Sequence, residues 1–120
     1  MPKLLIVDDE QDIREFAQNF FRRRGIDVLT AANGREALTI FEQENPDLIL
    51  MDIRMDEING LDVLAKIRQK NKDVKVIMVS GVEEKESMER AKSLGAIGYI
   101  HKPLVLEELE KIVLKEIKHE

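Results

Sequence analysis

The residues of this chain whose types could do chemistry together are Asp8 and Asp9, Asp52, Ser80 and Lys102. Each lies at the end of a short apolar run. Lys3-Leu4-Leu5-Ile6-Val7 precedes the acid pair, Asp47-Leu48-Ile49-Leu50-Met51 precedes Asp52, and Val74-Lys75-Val76-Ile77-Met78-Val79 precedes Ser80. Ile97-Gly98-Tyr99-Ile100 leads into His101-Lys102. Taken singly, the acids could cap a helix, the serine could share a turn with Gly81, and the lysine could be a solvated charge. Brought to one place they are complementary. Carboxylates packed together repel one another, which raises their pKa values unless a cation is present. Magnesium relieves that repulsion, taking oxygen ligands in octahedral geometry while leaving positions for waters and a phosphate oxygen. Zinc has no plausible ligand set here, since the chain has no cysteine and only His101 and His119. Lys102 supplies a compact cation and Ser80 a hydroxyl donor, both suited to phosphoryl oxygens. Phosphoryl transfer asks chiefly for positioning and charge neutralisation. An aspartate can itself be the nucleophile, forming an acyl phosphate.

The elements that must position these groups are legible in two alternating apolar periods. The four runs above, with Ile26-Asp27-Val28-Leu29-Thr30, are continuous rather than strictly alternating, as suits strands covered on both faces. Between them lie helical stripes. Ile13, Phe16, Ala17 and Phe20 fall on one face of a helix over about residues 11–24. Arg22-Arg23-Arg24 stands at its negative end and Gly25 offers a left-handed cap. Asn33 and Glu36 have capping-box spacing and open a second helix carrying Ala37, Leu38 and Phe41, which stops before Pro46. A third holds Leu61, Leu64 and Ala65, and a fifth holds Leu106, Leu109, Val113 and Ile117. The fourth, over Glu83 to Leu94, has only Met88, Ala91 and Leu94 as clear apolar residues, which predicts a loosely held helix. Strands alternating with helices predict a doubly wound parallel sheet with right-handed crossovers. In such a sheet the ligand sits beyond the carboxyl ends of the strands, where the candidate residues fall.

Composition narrows the class further. The 120 residues, 43% apolar and with a formal charge of −5, predict a single domain over 1–120 with a packed core. A pI near 5.2 argues against direct nucleic-acid binding, which depends on Lys and Arg against phosphate. No apolar stretch is long enough for a membrane span, and the start of the chain lacks the apolar region of a signal peptide. The expectation is a small cytoplasmic domain that neither enters a membrane nor carries a nucleic-acid reader.

Five pieces in order resemble one family. They are Val7-Asp8-Asp9-Glu10; Asn33-Gly34-Arg35-Glu36-Ala37-Leu38; Pro46 to Asp52 with Met55 and Gly60; Ser80-Gly81; and Tyr99-Ile100-His101-Lys102-Pro103. Over essentially the whole chain, Lys3 to Lys118, the sequence resembles a bacterial response-regulator receiver domain, the phosphoacceptor partner of sensor histidine kinases. The resemblance implies a flavodoxin-like (βα)5 fold with strand order 2-1-3-4-5. It implies that Asp52 is phosphorylated, and that Asp9, Asp52 and the Arg54 backbone carbonyl ligate Mg²⁺, with Asp8 acting through water. Lys102 would contact the phosphoryl group, Ser80 would swing in to it, and Tyr99 would occupy the aromatic switch position. The Lys102–Pro103 peptide would be cis. The partners implied are a sensor histidine kinase or phosphotransfer protein, and a downstream protein target or a second copy of the chain. Such a protein is no enzyme beyond catalysing its own phosphorylation and dephosphorylation.

The chain departs from the family pattern after Asp52. Asp56 replaces a proline that would pre-set φ, Ile58 replaces a methionine, and Asp56-Glu57 adds negative charge, so weaker Mg²⁺ binding is expected. Gly81 stands where alanine is usual; Arg54 and Val82 occupy positions that tune acyl-phosphate lifetime. Three other classes fit less well. An aspartate-nucleophile phosphatase lacks its Asp-x-Asp pair and cap domain here. An FMN carrier would meet three acids where it needs phosphate donors. A receiver reduced to a binding module would not need Asp9, Asp52, Ser80 and Lys102 together.

Overall fold

The computed structural model describes residues 1–55, 57–81 and 84–117. Five strands, β1 (Lys3–Val7), β2 (Asp27–Ala31), β3 (Leu48–Asp52), β4 (Lys75–Ser80) and β5 (Gly98–His101), alternate with five helices. The helices are α1 (Gln11–Arg22), α2 (Gly34–Glu44), α3 (Gly60–Lys70), α4 (Lys85–Ser93) and α5 (Leu106–Glu116). All strand pairs are parallel and the order is β2-β1-β3-β4-β5, as the resemblance implies. The order reverses between β1 and β3, so the crevice at their carboxyl ends is the natural site.

Strand periodicity divides the core in two. Leu4 and Ile6 of β1 face one side and pack with Ala17 and Phe21 of α1 and Leu109, Val113 and Ile117 of α5. Leu5 and Val7 face the other and pack with Phe41 of α2, Leu61, Leu64 and Ile67 of α3, and Ala91 of α4. Both faces being covered is why the strands are continuous apolar runs. Each fully buried side chain of this size stabilises the fold by roughly 1.5–3 kcal/mol.

Three helices differ in detail from what the sequence predicts. The buried face of α1 is turned relative to the expected stripe: Phe21 is wholly buried, whereas Phe16 is 55% exposed and only stacks on Phe20. The helix also ends at Arg22, short of 24, because Gly25 takes φ +80° and turns the chain into β2. Arg24 satisfies the Phe20 carbonyl at 3.0 Å as a C-terminal cation should, but it also lies over the Phe20 ring and pairs with Glu110 of α5 at 2.6 Å. In α4 only Ala91 is buried, and Met88 is 38% exposed, so the thin apolar stripe is thinner still. The capping box of α2 is present with one change. Asn33 accepts from Glu36 N at 2.9 Å, but Glu36 reaches back to Ala32 N rather than to Asn33 N. Asp56 and Val82, and with them the loop argument built on Asp56, lie outside the described residues, as does Glu83 at the expected start of the fourth helix.

Candidate functional site

Asp52 and Ser80 are the last residues of their strands rather than the first residues beyond them, and both are almost wholly buried. Their placement follows from sheet register: Asp52 lies opposite Val79, and Ser80 opposite His101. The ladder then continues one bond past the strands. Asp8 N donates to Ala31 O at 3.1 Å, Ile53 N to Val79 O at 2.9 Å, and Lys102 N to Ser80 O at 2.7 Å. These bonds fix the backbone on which Asp8, Asp52 and Lys102 are carried, so the site rests on the sheet rather than on free loops. The Lys102–Pro103 peptide is cis.

At this edge the carboxylates of Asp8, Asp9 and Asp52 offer oxygens that all lie within 4.8 Å of one another. Asp8 and Asp52 are buried and Asp9 is exposed. Neither Asp8 nor Asp9 caps α1. The N-cap is Glu10, which makes no side-chain cap bond, and Asp8 Oδ1 instead accepts from Glu10 N at 2.9 Å. Lys102 reaches into the cluster, its Nζ donating to Asp52 Oδ2 at 3.1 Å and lying 3.4 Å from Asp8 Oδ2.

The charges do not balance. Burial pushes the Asp52 carboxyl above the usual aspartate range, and the charge of Asp8 adds to this; the bonds from Lys102 and from the Arg54 backbone hold it only partly down. Burial pulls on Lys102 in the opposite sense, but its hydrogen bond to Asp52 and the charges of Asp52 and Asp8 outweigh that and leave its ammonium raised. One lysine is thus shared between two buried acids with a third beside them. Such a set of hard oxygen donors is suited to a metal ion.

Gly60 opens α3 directly against this edge. A Cβ built there would lie 2.1 Å from the Asp52 carbonyl oxygen, and Gly60 N donates to Ile53 O at 2.8 Å. Only the lack of a side chain lets the helix start so close to the end of β3.

The family model for the response regulator receiver domain matches residues 4–114. This chain belongs to that family. The receiver is 33% identical over 113 residues to the sporulation initiation phosphotransferase F of Bacillus subtilis, covering 94% of this chain and 91% of that protein. It is 37% identical over 116 residues to the regulatory protein AtoC of Escherichia coli, but there it covers 97% of this chain and only 25% of the relative. Among solved structures it resembles the Thermotoga maritima response regulator TrrA in complex with Mg²⁺-BeF, with a TM-score of 0.85 and 37% identity over 96% of this chain and 98% of that one. The chemotaxis protein CheY4 of Vibrio cholerae gives a TM-score of 0.90 at 30% identity, covering 97% and 98% of the two chains. As a receiver, the chain is a phosphoacceptor of two-component signalling.

Two arginine side chains of this receiver make links that its sequence does not reveal; Arg54 was expected at the site only through its main-chain carbonyl and as a position tuning acyl-phosphate lifetime. Arg68, on the last turn of α3, donates to the carbonyls of Leu94 (2.7 Å), Gly95 (3.1 Å), Val74 (2.8 Å) and Asn71 (3.2 Å). Its guanidinium therefore ties the carboxyl end of α4 to α3 and the start of β4. Arg54, two residues past Asp52, pairs through its side chain with Glu84, the N-cap of α4, at 3.0 Å. Neither link has a motif: each joins residues remote in sequence through a side chain whose type is ordinary on any surface. Tyr99 packs half-buried against the α2–α3 side of the core, and its hydroxyl is buried without a hydrogen-bond partner among the described residues. No helix among the described residues is long and apolar enough to cross a membrane.

Proposed function

We propose that Asp52 accepts the phosphoryl group, and that Asp9, Asp52 and the Arg54 main-chain carbonyl hold Mg²⁺, with Asp8 acting through a bound water. The supporting observation is the convergence of three carboxylates within 4.8 Å at the strand ends, against Lys102 as the one cation paired with them among the described residues. The surplus negative charge and the all-oxygen donor set fit a hard dication. When bound, the ion neutralises charge on the transferring phosphoryl oxygens. The place of the Arg54 carbonyl rests on the family resemblance.

The chain's own groups then do the following. A carboxylate oxygen of Asp52 attacks phosphorus of a phosphohistidine presented by a sensor histidine kinase or phosphotransfer protein. The O–P bond forms, the N–P bond breaks, and its electron pair stays on the imidazole nitrogen. The Lys102 ammonium, already within 3.1 Å of Asp52, follows the charge onto a phosphoryl oxygen, and the Ser80 hydroxyl donates to another. Beyond its own phosphorylation and dephosphorylation the protein turns over no substrate. It works in the cytoplasm, where kinases draw on ATP.

The signal leaves through α4, β5 and α5. Phosphorylation adds roughly −1.5 to −2 charges at one spot, enough to bias a weakly held neighbour. Ser80 leads into α4, whose one buried residue is Ala91, and among the described residues the Tyr99 hydroxyl has no partner to hold it in its present rotamer. The remodelled face serves a downstream protein or a second copy of the chain. Intact-mass measurement after treatment with acetyl phosphate tests the core of this. The wild type gains one phosphate only with Mg²⁺, and Asp52→Asn gains none; a variant that still gains phosphate overturns the assignment.

A further inference from the structure

Asp9 is the odd member of the acidic cluster. It is exposed, and among the described residues no hydrogen bond or ion pair holds its carboxylate, whereas Asp8 and Asp52 are buried and share Lys102. Its position at the cluster is therefore set by the backbone alone. Two bonds fix that backbone, one on each side of the residue. Before Asp9, the Asp8 carbonyl accepts from Arg14 Nη1 at 2.7 Å. After it, Glu10 N donates to Asp8 Oδ1 at 2.9 Å.

Arg14 lies in the first turns of α1, its own N–H closing the helix onto Glu10 O at 3.2 Å. Its guanidinium thus ties the helix back to the peptide plane between Asp8 and Asp9. Rotation of that plane is the soft coordinate that would swing the Asp9 Cα–Cβ bond away from Asp52. α1 has no side-chain cap of its own, so no cap bond duplicates this tie.

We propose that Arg14 is a positioning residue for the metal site: by holding the Asp8 carbonyl it keeps Asp9 aimed at the cation position. This rests on the Mg²⁺ assignment above. Outer contacts of this kind orient a ligand before the ion arrives, and their loss weakens binding while leaving the ligand set intact. The bond is also charge-assisted, which makes the guanidinium more than a surface charge.

The test is titration of the metal-free protein with Mg²⁺ alone, by calorimetry, for wild type, Arg14→Met, Arg14→Lys and Asp9→Asn, with a thermal melt of each in chelator. Arg14→Met should weaken Mg²⁺ binding about tenfold, the low end for loss of a supporting contact. Arg14→Lys should recover part of that, since an ammonium can still donate to the carbonyl. The variants' metal-free melting temperatures should differ much less than their affinities. Equal Mg²⁺ affinity in wild type and Arg14→Met overturns the proposal, as does a lowered melting temperature with affinity unchanged. A wild type that binds no Mg²⁺ removes the metal assignment and this proposal with it; binding lost in Asp9→Asn but kept in Arg14→Met removes this proposal alone. If Arg14→Met does not fold, Arg14→Gln takes its place under the same criteria.

Discussion

Gly60 and Asp52 approach so closely that a Cβ on the glycine would fall 2.1 Å from the Asp52 carbonyl oxygen. The obstructing atom is main chain, at the end of a fully buried strand, and cannot give way like a flexible side chain. Gly60→Ala must therefore push α3 away from β3 or displace Asp52 from the acidic cluster. The expected cost is about 1–3 kcal/mol, the usual range for overpacking, read from the urea midpoint. Magnesium affinity should fall as well, since Asp52 is a ligand in the proposed site. A variant as stable as the wild type would show that the loop after β3 yields more easily than its contacts suggest.

The charge imbalance at Asp52 predicts a stability gain on neutralising it. Burial and the neighbouring Asp8 raise its folded pKa above the unfolded value. A raised carboxylate pKa means the folded state favours the protonated form. Its stabilisation is complete below the unfolded pKa of about 3.9 and is lost as pH climbs through the folded value, so at neutral pH the ionised group is a cost. In chelator, Asp52→Asn should be more stable than the wild type at pH 7, by on the order of 1 kcal/mol. That advantage should shrink on acidification toward pH 4. Magnesium should reverse the order by stabilising the wild type through binding. Thermal melts across pH, with and without Mg²⁺, read all of this.

Much of the site was legible because it depends on where strands end. Apolar runs fix strand positions to within a residue, and the parallel alternation then gathers Asp8, Asp52, Ser80 and Lys102 on one edge whatever the details. Asp52 and Ser80 proved to be inside their strands, a shift too small to alter which edge they share. The face of α1 was less legible, since Phe16, Phe20 and Phe21 are equally apolar and only the packing angle decides which is buried. The side-chain bonds of Arg14, Arg54 and Arg68 left no signal, although Arg54 was expected at the site through its main chain. Their partners are backbone carbonyls or a distant glutamate, and carbonyls look alike in any sequence.

Lys102 has two opposed roles in the resting protein. It compensates Asp8 and Asp52, and it occupies charge that a metal would otherwise take up. Lys102→Met should destabilise the metal-free protein by about 1.5–3 kcal/mol, the range for a hydrogen bond to a charged partner. The same change should tighten Mg²⁺ binding, because the three carboxylates then have no competing cation among the described residues. Phosphorylation by acetyl phosphate should slow nonetheless, since the cation that follows the phosphoryl oxygens is gone. Weaker Mg²⁺ binding in the variant would show that Lys102 orders the site more than it competes for it.

Arg68 decides how α4 is held. Its guanidinium donates to four carbonyls, two of them, Leu94 and Gly95, at the carboxyl end of α4, and burial lowers its pKa despite the opposing charge of Asp73. Elsewhere α4 has one buried apolar residue and surface pairs such as Arg90–Asp62, which are worth little individually. The helix is thus fastened at its carboxyl end through Leu94 and Gly95, while the end that follows Ser80 is tied by the exposed Arg54–Glu84 pair, a weaker hold. Arg68→Met should cost about 2–3 kcal/mol, because several acceptors lose their donor at once. Amide exchange should accelerate over residues 91–97, the end of α4 and its exit loop. Arg68→Lys should restore only part of the protection, since an ammonium cannot span carbonyls from three elements as the planar fork does. If exchange rises evenly across the sheet instead, Arg68 supports the whole fold and α4 has no private anchor.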